Sequence, residues 1–145
     1  MYERMKTQIE EAQEGIISSQ VKAVAAAEGI EAEDLCRSIA AGEAVIMTRG
    51  RCSIGIGRGL RTKVNVNLGT STSRVHPEEE VEKARIAELH GADTITDLST
   101  GGDITAIRRT IFAATALPIT TVPIYQAAAG IGIGNLTAED VLATL

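Results

Sequence analysis

Three short runs of apolar and β-branched residues in this sequence end in polar side chains that could bind a small molecule. Asn67 and Asp97 close the first two runs, and Tyr125 with Gln126 follows the third. Amide and hydroxyl groups both donate and accept hydrogen bonds, which suits them to holding a polar ligand. Taken singly, Asn67 could instead close a turn, and Tyr125 could be a packed loop aromatic. The pattern predicts a binding site and singles out no catalytic residue.

A polar loop follows the second of these runs. Its residues Ser99, Thr100, Gly101 and Gly102 lead into Asp103, which can cap a helix. Backbone N–H groups of such a loop at a helix N-terminus can also cradle an anion. The sequence leaves both interpretations open, a helix cap alone or an anion-binding loop.

The elements that would position these loops alternate regularly after residue 62. They are predicted, in chain order, as a strand at 63–68, a helix at 77–91, a strand at 94–98, a helix after 103, a strand from 119 running out to 125, a glycine-rich connection at 130–134 and a helix at 138–145. This order is typical of a parallel sheet with right-handed crossovers. The carboxyl ends of parallel strands meet at one rim, where we expect Asn67, Asp97 and Tyr125.

The preceding segment is rich in Ala and Glu and predicts a helical leader. Ser18 or Ser19 can cap a helix that Gly29 ends, and a second helix is predicted over about 32–41. A short strand is predicted at 43–48.

A glycine cluster at residues 55–60 invites comparison with nucleotide-binding loops. The third glycine of a Gly-x-Gly-x-x-Gly fingerprint is replaced by Leu60, and no helix is predicted directly after it. We therefore predict a β-turn region that leads into the first strand of the repeat.

Together these patterns predict an α/β protein with a helical amino-terminal leader, residues 1–61, and three β/α units, residues 62–145. Three parallel strands protect their edges and both faces poorly. The alternatives are a small three-layer domain and the first three β/α units of a truncated (β/α)8 TIM-type barrel. We expect the truncated barrel, because the sequence stops at its third predicted helix without a polar tail.

Composition narrows the class of protein. A formal net charge of −5 argues against binding to nucleic acid or to an anionic membrane. Cys36 and Cys52 belong to no Cys or Cys/His cluster, so no metal site is predicted, and His76 and His90 are expected at the surface. Prolines interrupt the apolar stretch 111–125, which excludes a membrane span. The polar N-terminus is not a signal peptide, and a cytoplasmic location is expected.

Three long motifs resemble a known family. Residues 57–71 resemble the first barrel strand of the phosphomethylpyrimidine synthase (ThiC) family, residues 91–104 its second strand and loop, and residues 121–127 its third. The segments 5–8 and 15–17 are similar to the leader of that family. The order and the separations of these motifs match over nearly the whole chain.

This resemblance implies a radical S-adenosylmethionine enzyme, a carbon–carbon lyase that converts 5-aminoimidazole ribotide into hydroxymethylpyrimidine phosphate in thiamine biosynthesis. It implies S-adenosylmethionine, a [4Fe–4S] cluster on a carboxy-terminal cysteine triplet, a metal site with late histidines that holds zinc, and a homodimer. The cluster and metal ligands of the family are absent from this sequence, so we expect this chain alone to be inactive.

The resemblance also implies roles for single residues. Asn67 and Tyr125 match substrate-binding positions of the family, and Thr96 occupies the third such position, where the family has methionine. A second departure is at residues 47–50, where the family has an Ala-Asn-x-x-His segment. Such changes are what a paralog would show, and 5-hydroxybenzimidazole synthase of anaerobic cobamide synthesis, which uses the same ribotide, is the alternative. A non-catalytic α/β binding module is a third possibility.

Overall fold

The protein is described by a computed structural model that covers residues 6–144 of the 145-residue sequence. Two predictions therefore lie partly outside the described residues, namely the leader motif at Met5 and the end of the last helix at Leu145. The chain divides into two compact units, residues 1–63 and residues 64–145.

The first unit combines helices with a β-hairpin. Its elements are α1 (Gln8–Gln13), α2 (Ser19–Glu28), α3 (Ala32–Ala40), β1 (Ala44–Arg49) and β2 (Cys52–Gly57). As predicted, the Ser18 hydroxyl caps α2 by accepting the Val21 N–H, and Gly29 ends that helix in a left-handed conformation. The helix α1 was not predicted, although Thr7 and Glu10 form a capping box that marks its start.

The prediction of a β-turn region at residues 55–60 is wrong for its first half. Residues 52–57 form β2, which pairs antiparallel with β1 along its whole length. Gly55 is needed there because a Cβ atom at this position would lie 2.5 Å from Cγ1 of Val24. The hairpin thus lies close to α2. The buried side chains of Val24 in α2, Leu35 in α3 and Ile46 in β1 belong to one hydrophobic core.

The second unit is a three-stranded parallel sheet with helices in the crossovers. Its elements are β3 (Asn65–Leu68), α4 (Pro77–Leu89), β4 (Thr94–Asp97), α5 (Ile104–Ala114), β5 (Ile119–Thr121), α6 (Pro123–Ile131), a 3-10 turn (Ile133–Asn135) and α7 (Ala138–Leu142). The strand order is β3-β4-β5, and the predicted parallel pairing is confirmed. The described sheet is small and does not close into a barrel.

The two faces of this sheet differ because successive side chains of a strand point to opposite sides. Leu68 and Ile95 pack on one face against Ala84 of α4 and against Ile107 and Ile111 of α5. The opposite face carries the polar side chains Asn65, Asn67, Thr94, Thr96 and Thr120. Asp97, at the end of β4, is a polar residue on the apolar face, where it contacts Arg108 of α5. The helices α4 and α5 therefore cover the apolar face of the sheet.

The chain after β5 corrects the sequence prediction. Tyr125 was expected in a loop, and residues 130–134 in a glycine-rich connection, but residues 123–131 form α6. Pro123 occupies the first turn, where its missing N–H costs no hydrogen bond, and the following run of alanines favours a helix.

Candidate functional site

A hydrogen-bonded row of polar side chains crosses the second face of the parallel sheet. Asn67 and Thr96 stand in register on β3 and β4, and Thr96 stands in register with Thr120 of β5. The hydroxyl oxygens of Thr96 and Thr120 are 2.7 Å apart. Asn65 joins Asn67 to the row, since its Nδ2 donates to Asn67 Oδ1 at 2.8 Å. We call these side chains, together with Thr94, the polar row.

Asn65 is the centre of the polar row. Its Oδ1 accepts hydrogen bonds from the hydroxyls of Thr94 at 2.9 Å and Thr96 at 3.0 Å. Thr94 is buried, whereas Asn65 and Asn67 are exposed. Sequence reasoning selected Asn67 and Thr96 and missed the other three members. The period-two alternation that links Asn67 to Asn65 and Thr96 to Thr94 was the signal that could have found two of them, whereas the place of Thr120 depends on the register of β4 with β5.

The loops that follow β3 and β4 are fastened to each other. Thr70 accepts the Thr100 N–H on its carbonyl at 2.8 Å, and its hydroxyl donates to the Gly101 carbonyl at 2.6 Å. The Ser99 hydroxyl oxygen accepts the Thr70 N–H at 3.2 Å. Gly69 approaches the second loop so closely that a Cβ atom there would lie 2.5 Å from the Ser99 nitrogen. The two loops therefore form one rigid part of the rim.

A buried carboxylate anchors the first of these loops from α4. Glu80 is 4% exposed, and its Oε2 accepts the Gly69 N–H at 2.7 Å. Lys83, one turn further along α4, donates to Oε1 of Glu80 at 2.7 Å. From the sequence, this glutamate was placed only within the predicted helix at 77–91 and was given no role. A buried acid in an otherwise exposed turn cannot be recognised from the residue type alone.

The predicted anion loop is largely occupied by structural hydrogen bonds. The backbone N–H and the hydroxyl of Ser99 both donate to Asp97 Oδ1, at 2.9 and 2.5 Å, and the Thr100 N–H is bonded to Thr70. Asp103 caps α5 by accepting the Ala106 N–H at 2.9 Å, as predicted. The cap places a carboxylate where an anion would bind. Anion binding by this loop stays a prediction.

An open cavity of about 490 Å³ lies beside the same loop. Gly101, Gly102 and Thr72 contribute to its lining from the βα loops, and Gln126 and Gly130 contribute from α6. The cavity is at the carboxyl rim of the sheet, which is the usual place for ligands in parallel α/β proteins.

Tyr125 lies on a different element from the polar row. It is in the first turn of α6, where its N–H donates to the Val122 carbonyl, and its side chain is 45% exposed. The next residue, Gln126, is held by Arg108, whose Nη1 donates to Gln126 Oε1 at 2.7 Å. The structure thus brings Asn67 and Thr96 together through Asn65, and it places Tyr125 at the same rim on a helix.

Neither a cluster of metal ligands nor a membrane-spanning helix is found among the described residues. Within residues 6–144, no three His, Cys, Asp or Glu side chains are grouped so that they could hold a metal ion. Cys36 is buried and its thiol faces the Ala12 carbonyl, while Cys52 is half-buried. No helix in the described part of the chain is long and apolar enough to span a membrane.

Comparison of the sequence with known proteins shows the family of this chain. The model of the Radical SAM ThiC family matches residues 7–145. A 5-hydroxybenzimidazole synthase of Geobacter sulfurreducens is 52% identical over 126 residues, which cover 85% of this chain and 29% of that protein. A phosphomethylpyrimidine synthase of Pyrococcus furiosus is 48% identical over 143 residues, covering 92% of this chain and 33% of that protein.

A phosphomethylpyrimidine synthase of Methanocaldococcus jannaschii is 49% identical over 136 residues, covering 92% of this chain and 30% of that protein. The chain therefore spans about a third of the length of the curated relatives that it matches. Because the family model matches nearly all of the sequence, the chain belongs to the radical SAM ThiC family.

Proposed function

We propose that this chain is the amino-terminal part of a ThiC-type enzyme and that its second unit supplies the first three β/α units of a (β/α)8 barrel. In the described sheet, β3 and β5 are both edge strands, which leaves a place for a further strand on each side. A groove of about 470 Å³ beside β3 is lined mainly by apolar side chains, among them Val66 and Ile86. A neighbouring β/α unit would bury this groove.

The proposed reaction is the conversion of 5-aminoimidazole ribotide into 4-amino-5-hydroxymethyl-2-methylpyrimidine phosphate in thiamine biosynthesis. The observation that carries this proposal is the polar row, because it holds Asn67 and Thr96 in register on neighbouring strands. The resemblance to the family implies that these two positions bind the substrate. In a closed barrel this face of the sheet would point inward, and Tyr125 would reach the same ribotide from the rim. The names of the relatives from Pyrococcus and Methanocaldococcus support the reaction.

The second candidate is 5-hydroxybenzimidazole synthesis from the same ribotide. It is supported by the relative from Geobacter, which is 52% identical and has that name. Thr96 also favours it, because a changed substrate position is what a paralog would show. A hydrogen-bonded threonine hydroxyl here replaces the flexible thioether of the family methionine.

In either reaction, S-adenosylmethionine bound at a [4Fe–4S] cluster would supply the radical chemistry. The residues described here do not fit the cluster or the proposed zinc ion, so both would be held elsewhere in the full-length enzyme. The part assigned to this chain is to bind and orient the ribotide. A cytoplasmic homodimer is proposed for the complete protein.

The test uses a full-length protein that contains this sequence. Reduced under anaerobic conditions and supplied with S-adenosylmethionine, it is expected to consume 5-aminoimidazole ribotide, and mass spectrometry identifies the product. A hydroxymethylpyrimidine phosphate supports the first reaction and a hydroxybenzimidazole the second. A protein with an intact cluster that leaves the ribotide unconsumed would reject both.

A further inference from the structure

We propose that Asn65 is a positioning residue that fixes which end of the Asn67 carboxamide faces the ligand. In this arrangement Asn67 offers its NH₂ group, and the ligand must supply a hydrogen-bond acceptor. The inference rests on the proposed function, because it takes the ligand of Asn67 to be the ribotide.

The direction of the Asn67 side chain follows from its contact with Asn65. Asn65 Nδ2 donates to Asn67 Oδ1 at 2.8 Å. A carboxamide carries its oxygen and its nitrogen on opposite branches, so an oxygen held toward Asn65 turns the two N–H donors of Asn67 away from it. Since Asn67 is exposed, those donors are free to meet a molecule on the polar face of the sheet.

Asn65 is itself oriented by two hydroxyl groups of β4. Thr94 and Thr96 donate to Asn65 Oδ1 at 2.9 and 3.0 Å, which leaves Nδ2 as the group that faces Asn67. Thr96 has a single proton, so when it donates to Asn65 it must accept from Thr120, 2.7 Å away. The Thr120 hydroxyl also lies 3.4 Å from the Ile95 carbonyl, but its contact with Thr96 is the shorter one. The donors of Thr120, Thr96 and Asn65 then point in one direction, toward Asn67.

This one-way arrangement specifies the chemistry of the ligand. An unprotonated ring nitrogen or an oxygen of the ribotide can accept from Asn67 Nδ2. A ligand that presents a group able only to donate at the same place, such as a ring N–H, would meet another donor and would bind poorly. Asn65 thus contributes to selectivity without touching the ligand, because it acts only through Asn67.

The decisive experiment is a double-mutant cycle on ligand binding in the full-length protein. Calorimetry with 5-aminoimidazole ribotide, without reductant so that no turnover occurs, gives the Kd of wild type, Asn65→Leu, Asn67→Ala and the double variant. We expect Asn65→Leu to raise Kd roughly 10- to 100-fold in the wild-type background and less than about threefold in the Asn67→Ala background. An equal factor in both backgrounds, or no effect of Asn65→Leu on the wild type, would overturn the proposal.

Two further variants complete the test. Asn135→Leu makes the same change at the only other asparagine of the sequence, outside the polar row, and should leave Kd unchanged. Asn67→Asp keeps an acceptor for Asn65 but removes the outward donors, and it should weaken binding at least as much as Asn67→Ala. Wild-type affinity of Asn67→Asp would show that Asn67 presents its oxygen instead and would overturn the proposed direction.

The failure of the proposed function would be recognised separately. If the wild-type protein does not bind the ribotide, that function is rejected, and the contact itself is then judged by the side-chain amide resonances of Asn67 in nuclear magnetic resonance spectra. Their chemical shifts should change in Asn65→Leu and remain those of the wild type in Asn135→Leu. Resonances that are the same in both variants would remove the positioning role as well.

Discussion

Arg108 and Asp97 form an ion pair at the carboxyl end of β4, with Nε of the arginine 2.9 Å from Oδ2 of the aspartate. The Asp97 side chain has no solvent exposure, and Arg108 is 23% exposed. The other carboxylate oxygen accepts from Ser99, and the other branch of the guanidinium reaches Gln126. One arginine of α5 therefore joins the end of β4 to the first turn of α6, which carries Tyr125.

We predict that Arg108→Met lowers the free energy of unfolding by about 3–5 kcal/mol, because it leaves a buried carboxylate without its cation. Urea unfolding followed by circular dichroism measures the effect. Asp97→Asn should cost less in the Arg108→Met background than in the wild type, since the pair is already broken. Arg109→Met, the same change at the exposed neighbouring arginine, is the matched control and should alter stability by less than about 0.5 kcal/mol. A loss in Arg108→Met no larger than in this control would contradict the role of the pair.

A second ion pair, between Glu28 and Lys63 in the first unit, should make stability depend on pH. Lys63 Nζ is 2.8 Å from Glu28 Oε1, and the two side chains are 7% and 8% exposed, respectively. The hydrogen bond from Lys63, together with the Arg61 N–H, holds the pKa of Glu28 below its ordinary value near 4.5. A carboxyl group with a lowered pKa stabilises the folded state above its ordinary pKa, and this contribution is lost as the pH falls through the lowered value.

Glu28→Gln should accordingly destabilise the protein by roughly 1.5–3 kcal/mol at pH 7, the range for hydrogen bonds to charged groups. The difference from the wild type should shrink as the pH is lowered below about 4.5. Urea titrations at a series of pH values measure both. Glu33→Gln, the same change at an exposed acid of α3, is the matched control and should alter stability by less than about 0.5 kcal/mol. A difference for Glu28→Gln that stays constant into acid would disprove the linkage.

The close approach of the two βα loops leads to a third prediction. A Cβ atom on Gly101 would lie 2.4 Å from the carbonyl carbon and oxygen of Ser71, and this glycine has no positive φ angle. Gly101→Ala should therefore destabilise the protein by roughly 1–3 kcal/mol through overpacking alone. Gly130→Ala is the matched control, because nothing lies within 4 Å of its Cβ position, and it should be neutral or slightly stabilising within α6. Equal melting temperatures of the two variants would show that the loops are not packed as described.

The parallel sheet and its crossovers could be predicted because local patterns determine them. Asn65 and Asn67 alternate with Val66 and Leu68, and this period-two pattern both marks the strand and separates its polar from its apolar face. The cap at Asp103 follows in the same way from residue type and position. Such features need only neighbours in the sequence.

Features that depend on tertiary contact could not be predicted. The role of Asn65 requires the hydroxyls of Thr94 and Thr96, which lie 29 and 31 positions away in sequence. The burial of Glu80 depends on a backbone N–H that a loop brings to it. Tyr125 was misplaced for a different reason, because a proline after a short strand was interpreted as part of an extended exit, whereas it begins α6.

The last prediction concerns Asn67, whose exposed side chain separates function from stability. In the full-length enzyme, Asn67→Ala should lower kcat/KM for the ribotide. The ratio to the wild type should correspond to a loss of about 1–3 kcal/mol in transition-state stabilisation, the cost of leaving a polar ligand group unpaired in a dry site. The melting temperature should change little, since the variant removes one exposed hydrogen bond to Asn65 and buries nothing new. Asn135→Ala is the matched control for both measurements. Unchanged kinetics in Asn67→Ala would show that Asn67 does not contact the ribotide. A large drop in melting temperature would show that its contact with Asn65 stabilises the sheet instead.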